Sequence, residues 1–340
     1  MPTRRATLKL VGQGLALSSA ASIASPLWAA RRAKGVAALL VPLTGERAAL
    51  GRSIAAAAML AETDAAALRV IDTGGSADGA ARAALAAVKD GAALLLGPLT
   101  AAETRAVAAA VGARVPVVAL TNDAAAQGNG AFVLGITPAQ ATGALLGYAR
   151  SRGVRRVAAL DDGTPWSSAC VAAAKRAEGD LGLIILPTPA GGVVGEADAL
   201  FVPGGSDTAL AAARRAREGG VQLLATVQAL DYRPDVLAAL QGAWIASPDP
   251  ARFATFAAAF AARNGGRPGA IAALGHDAAG IAKTLREADQ MTREGVLREA
   301  GFDCTTGPLR FRADGSCARD FAILVATNGA YEKVAESRGA

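Results

Sequence analysis

The sequence predicts an α/β protein built as two doubly wound parallel-sheet lobes. Two observations carry this. From Gly35 onward, short continuous apolar runs alternate with Ala-rich helical stretches, the pattern of strands buried on both faces by crossover helices. That rhythm runs once, breaks near Thr137-Pro138 and restarts at Val154. A chain of 340 residues is long enough for about two domains, each with its own core.

In order, Val36–Val41 reads as the first strand, followed by Pro42-Leu43-Thr44-Gly45 and a helix from Glu46 to about Asp64. Leu68–Asp72, Ala93–Leu96 and Pro116–Leu120 read as further strands, with helices near Asp78–Lys89 and Ala101–Val111 between them. Ala131–Gly135 is a short strand before a helix over about Ala139–Ser151. The second series is Val154–Leu160, a helix Trp166–Gly179, Leu183–Leu186, Ala199–Val202, a helix Asp207–Glu218, Val221–Ala225, a helix Asp235–Leu240 and Ala243–Ile245. Helices over Ala251–Arg263, Ala270–Ala288 and Arg293–Ala300 follow. The tail differs: Leu309–Arg312, Phe321–Ala326 and Tyr331–Val334, punctuated by Asp314-Gly315 and Asn328-Gly329, read as antiparallel hairpin strands. Ligands of such sheets sit at the carboxyl ends of the strands, so two facing lobes place a site in the cleft between them.

Composition excludes several classes. The chain is 52% hydrophobic and 19% charged, too apolar for a disordered protein. No apolar run is long enough for a polytopic membrane protein. Net charge is +6, but Arg4, Arg5 and Lys9 lie in the first thirty residues, and without them 32 basic residues face 29 acidic ones, or +3. Scattered basic residues with 4% aromatics make no nucleic-acid face. A single histidine removes most zinc sites, and no nucleophile–base–orienter set is visible, so neither an enzyme nor a bound metal or cofactor is expected. Residues 1–30 read as a secretory signal: Thr3-Arg4-Arg5-Ala6-Thr7-Leu8-Lys9 resembles a twin-arginine export signal, and a small-residue apolar stretch follows. Export to the periplasm follows from it, with no stable membrane insertion after signal cleavage. Cys304 and Cys317 are then either a bridge closing a local hairpin or two half-buried thiols. Cys170, in an Ala-rich helix, reads as a small core residue.

Several segments together carry a resemblance. Val36–Gly45 with Leu50-Gly51, Leu96-Gly97-Pro98-Leu99-Thr100, Val115–Ala119, Gly153–Ala158 and Gly307-Pro308-Leu309-Arg310-Phe311 resemble type I periplasmic binding proteins of the leucine and branched-chain amino acid group. Ala119-Leu120-Thr121-Asn122-Asp123, Gly128-Asn129-Gly130, Phe132–Gly135 and Pro138 are also similar to penicillin-binding protein activators. The resemblance implies a two-lobed exported receptor with three hinge crossings. Lobe I is then 36–136 with 249–290, and lobe II is 139–246 with the tail and C-terminal hairpin at 305–335. It implies a small polar ligand such as an amino acid in the cleft and an ABC permease as partner. The activator-like alternative implies contacts with a peptidoglycan synthase.

The same resemblance nominates site residues. Thr100 and Ala101 open a helix, where a hydroxyl and backbone N–H groups hold an anion, or where Thr100 merely caps the helix. The family usually has a serine at or beside Ala101. Thr121 and Asp123 match a pair that holds the other side of the ligand, although Asp123 repels a carboxylate and also fits an Asx turn. Trp166 sits where an aromatic closes over the ligand, and Leu50 replaces another aromatic wall. Gln228 falls where amino-acid binders carry a glutamate for the ammonium, and it brings no charge. His276, in His276-Asp277-Ala278, matches a cleft residue or is a satisfied structural histidine. The Gly- and Pro-rich segment Pro187–Asp198 is too short for the helix the family has there, which trims lobe II on one face and suits a protein partner.

Overall fold

The computed structural model describes residues 35–188, 195–327 and 329–339. The signal expected over 1–30 lies outside them. Lobe I begins with β1 (Val36–Val41), α1 (Ala48–Ala61), β2 (Leu68–Asp72), α2 (Ala77–Lys89), β3 (Ala92–Leu96), α3 (Ala101–Val111), β4 (Val117–Ala119) and β5 (Ala131–Val133). Their five strands form one parallel sheet in the order β2-β1-β3-β4-β5. The chain then crosses to α4 (Pro138–Ser151), β6 (Arg156–Leu160), α5 (Pro165–Leu181), β7 (Ile184–Thr188), β8 (Ala199–Val202), α6 (Ser206–Glu218), β9 (Gln222–Thr226), α7 (Pro234–Ala239) and β10 (Trp244–Ser247). It returns with α8 (Pro250–Asn264), α9 (Ala272–Glu287), α10 (Arg293–Val296), β11 (Leu309–Phe311) and β12 (Cys317–Arg319). β13 (Phe321–Thr327) and β14 (Ala330–Ser337) cross back. The second sheet has the order β14-β13-β10-β9-β8-β6-β7, parallel except for β13 and β14.

Local chemistry starts most helices where the sequence places them. Thr100 with Glu103 and Thr137 with Gln140 form capping boxes on α3 and α4, each satisfying two free backbone donors. Ser76, Thr164 and Asp249 cap α2, α5 and α8. Pro138, Pro165 and Pro250 occupy the first turns of their helices, where a missing N–H is harmless. Each lobe has separate cores on the two faces of its sheet. Leu39, Leu96 and Phe132 pack with Leu274 and Ile281 of α9 on one face of the first sheet, while Leu40, Leu95 and Val117 pack under α2 and α3 on the other. In the second lobe, Leu160, Val202 and Ile245 pack under α6 and α7, and Phe201, Leu224 and Ile323 under α4 and α5.

The tail requires two corrections. β11 pairs with the short β12, Phe311 opposite Cys317, and not with Phe321–Ala326. The Asp314-Gly315 turn, with Gly315 at φ +89° and Ser316 N–H donating to Asp314 Oδ1 at 2.8 Å, returns the chain too quickly to reach Phe321. Leu309, Phe311 and Cys317, grouped by the sequence with lobe II, pack in the first lobe's core. Of the two alternatives left open for Cys304 and Cys317, a bridge or two thiols, the structure has the thiols. Both are free, buried thiols, because Cys317 stands opposite Phe311 in the ladder while Cys304 precedes a separate turn closed by Gly307 N–H donating to its carbonyl. Burial pushes both thiols up. Between β7 and β8, residues 189–194 fall outside the described set. The described remainder holds no helix, and Ile184 on the edge strand β7 is 47% exposed.

Candidate functional site

The loops at the carboxyl ends of both sheets converge on the seam. Leu99 follows β3, Leu120–Asn122 follow β4, Trp166 opens α5 after β6, and Val227 and Gln228 follow β9. The hinge residues Ile136 and Pro248 and the α8–α9 residues Phe253, Ile271 and Leu274 complete the walls of a cavity of about 490 Å³. That volume suits a small-molecule site. Its lining among the described residues carries no Asp, Glu, Lys, Arg or His. A second cavity of about 790 Å³ shares Asn122, Trp166 and Gln228 with the first and adds Asp123, Thr137, Thr164 and Arg176. An apolar chamber therefore opens beside a polar one, with Trp166 on the border.

Most polar groups in the apolar chamber are already satisfied. Trp166 Nε1–H donates to Thr226 Oγ1 at 3.2 Å, which fixes the indole and leaves its faces for contact. Thr226 in turn donates to the Pro203 carbonyl at 2.9 Å. Thr121 Oγ1 accepts from Asp123 N–H at 3.2 Å, and Ser247 Oγ donates to the Pro248 carbonyl at 2.8 Å. Thr305 and Thr306 are held by Asp277, which accepts from both backbone N–H groups at 2.7 and 2.9 Å and from Thr306 Oγ1 at 2.6 Å. Burial raises the Asp277 pKa, but His276, the Thr306 hydrogen bonds and the Arg319 charge outweigh it and hold the carboxyl below its ordinary value. The side-chain amides of Asn122 and Gln228 and the Tyr232 hydroxyl make no hydrogen bond to another described residue.

The nominated residues divide. Thr121, Trp166 and Gln228 line the apolar chamber, and Asp123 lines the polar one. Asp123 Oδ1 accepts from Ala125 N–H at 2.9 Å in an Asx turn. Thr100 and Ala101 line neither chamber. The chain's own Glu103 carboxylate takes the anion position at Thr100, accepting from Thr100 N–H at 3.0 Å, Thr100 Oγ1 at 2.8 Å and Thr73 Oγ1 at 2.9 Å. His276 faces a different groove with Arg252, Asp303 and Thr305. Its Nδ1 lies 3.1 Å from Thr305 Oγ1, and its ring packs on Phe256 at 5.1 Å. Sequence reasoning missed Asn122, Tyr232, Phe253 and Ile271 as walls. Asn122 stood inside a quoted motif, and aromatics are rare enough here that Tyr232 and Phe253 beside Pro-containing turns were the available signal.

Two comparisons bear on this geometry. Residues 37–191 match the model of a family described as periplasmic binding protein. This chain has the build of a periplasmic binding protein. Among solved structures, a branched-chain amino acid ABC transporter protein from Rhodospirillum rubrum is 21% identical with a TM-score of 0.71, covering 88% of this chain and 100% of the other. A solute-binding protein of an ABC transporter from Rhodopseudomonas palustris, in complex with 3,4-dihydroxybenzoic acid, is 19% identical with a TM-score of 0.61, over 90% and 97%. Full-length LpoA from Haemophilus influenzae is 17% identical with a TM-score of 0.70, over 88% of this chain and 59% of LpoA. These likenesses show the two-lobed periplasmic binding protein fold, similar to ABC substrate-binding proteins. No curated protein sequence matches. Among the described residues, no helix is long and apolar enough to cross a membrane, and no group of three His, Cys, Asp or Glu could hold a metal ion.

Proposed function

We propose that the chain is an exported solute receptor that binds a small molecule between its lobes and presents it to an ABC permease. The observation that carries this reading is the cavity of about 490 Å³ walled by loops from both lobes and by the hinge. The named ligands of similar proteins, branched-chain amino acids and an aromatic acid, indicate the size class. The ligand contacts are Thr121, Asn122, Trp166 and Gln228. Asp123 stands at the polar edge, and Thr100, Ala101 and His276 take structural roles. The chemistry is binding, with no catalytic step. Thermal melting of the purified chain against amino acids, organic acids and uncharged amides tests the reading. A shift with at least one compound, lost in Trp166→Ala, is the expected result, and no shift with any of them ends it. Export by the twin-arginine route has its own check: replacing Arg4 and Arg5 by Lys leaves the chain in the cytoplasm.

A second reading is a regulator of a peptidoglycan synthase. It rests on the likeness to LpoA, a penicillin-binding protein activator, and on the uncovered Ile184 at the β7 edge. Affinity capture from a membrane extract separates the two: a permease supports the receptor, and a synthase without a permease supports the regulator.

A further inference from the structure

The apolar chamber narrows the ligand class. A zwitterionic amino acid is held best by a countercharge for each end, and an aromatic acid by a cation at its carboxylate. Among the described residues, none of the chamber's lining side chains is ionisable at neutral pH. The helix start at Thr100, which could have held a carboxylate, already holds Glu103. Arg176 and Asp123 border only the adjoining polar chamber. What the chamber offers is Leu99, Ile136, Leu230, Phe253, Ile271 and Leu274 as apolar wall, with the Asn122 and Gln228 carboxamides free to bond. Each carboxamide gives two donors and one acceptor without charge. A bare charge placed there loses its hydration and meets only two neutral carboxamides, with no countercharge among the described lining residues, whereas an uncharged amide or hydroxyl on a hydrocarbon body matches both wall and polar groups.

We infer that the chamber is selective for an uncharged, largely apolar small molecule, recognised through the Asn122 and Gln228 carboxamides. This deepens the receptor reading and rests on it. The test is calorimetric titration of the purified chain with neutral and charged compounds that share a hydrocarbon body: benzamide against benzoate, and N-acetyl-leucinamide against leucine. In at least one pair the uncharged member binds roughly tenfold or more tightly than its charged partner. Asn122→Leu and Gln228→Leu each weaken that binding about tenfold while the melting temperature of the free protein stays unchanged, since neither amide bonds to another described residue. A charged member that binds as tightly as its neutral counterpart in every pair that binds overturns the charge selectivity and leaves the receptor reading standing. No binding by any of the four overturns the inferred ligand class and leaves the receptor reading to the wider melting panel. Undiminished amide binding in both Leu variants overturns the assigned recognition.

Discussion

Asp72 illustrates how single residues shape the seam. At the end of β2, its Oδ1 accepts from Leu43 N–H at 2.7 Å and Gly74 N–H at 2.8 Å, and its Oδ2 from Thr44 Oγ1 at 2.6 Å. The Thr44 hydroxyl above all, with these backbone donors, holds its pKa at about 2. The folded value lies below the unfolded one, so the stabilisation is present above about pH 4 and is lost as pH falls towards 2. After allowance for solvent screening, Asp72→Asn costs about 1 kcal/mol at pH 7 and almost nothing at pH 2, as urea denaturation at the two pH values reads directly. The thiols give a second prediction at this scale. The protein has three cysteines, all free and buried. A thiol reagent therefore finds few or none in the native protein and three after denaturation without reductant. A count of one would restore the bridge.

At the scale of elements, α9 from the returning chain lies against α1, and its approach depends on Gly275. A Cβ there would stand 2.5 Å from the Ile54 carbonyl oxygen and 2.7 Å from Ile54 Cγ2. Gly275→Ala forces the two helices apart and costs about 1–3 kcal/mol, measured by chemical denaturation. The same pair is tied at its other end by Arg286 and Glu62, 2.5 Å apart and both largely buried. Helix and strand positions were legible in the sequence because apolar runs, caps and prolines mark them locally: Leu68–Asp72 is read to the residue, and Pro138 and Pro165 announce α4 and α5. The tail was misread because a hairpin partner is chosen by the turn and the lobe it packs on. The short β12, with a buried arginine at its end, carries no apolar-run signal.

For the whole molecule, the hinge and the two faces of the cleft act together. Arg319, buried at the end of β12 where the chain leaves for β13, donates to the Leu134 carbonyl at 2.5 Å and to the Thr306 carbonyl at 3.1 Å, so one guanidinium ties the segments from which the first and last crossings leave. Arg319→Met leaves both carbonyls short of a donor, removes the positive charge near Asp277 and destabilises the protein by about 3 kcal/mol, again by denaturation. Across the cavity, Tyr232 of the second lobe is 63% exposed and Ile271 of the first is 42% exposed. Closure of the lobes on a ligand buries both, and small-angle scattering should show a smaller radius of gyration with ligand bound. An unchanged radius in the presence of a ligand that shifts the melting temperature would exclude closure.

Local pattern was enough to determine the α/β class and the two-lobed order of elements, since strand ends are set by where apolar runs stop, whereas Thr121, Trp166 and Gln228 were nominated by the family resemblance. Tertiary structure alone decided what those residues face. His276 turns to Thr305 and Phe256, and the walls from α8, α9 and the β9 loop meet with no charged side chain among the described lining residues. Each depends on contacts between segments far apart in the chain or on which way a helix faces. Neither is encoded in the spacing of neighbouring residues.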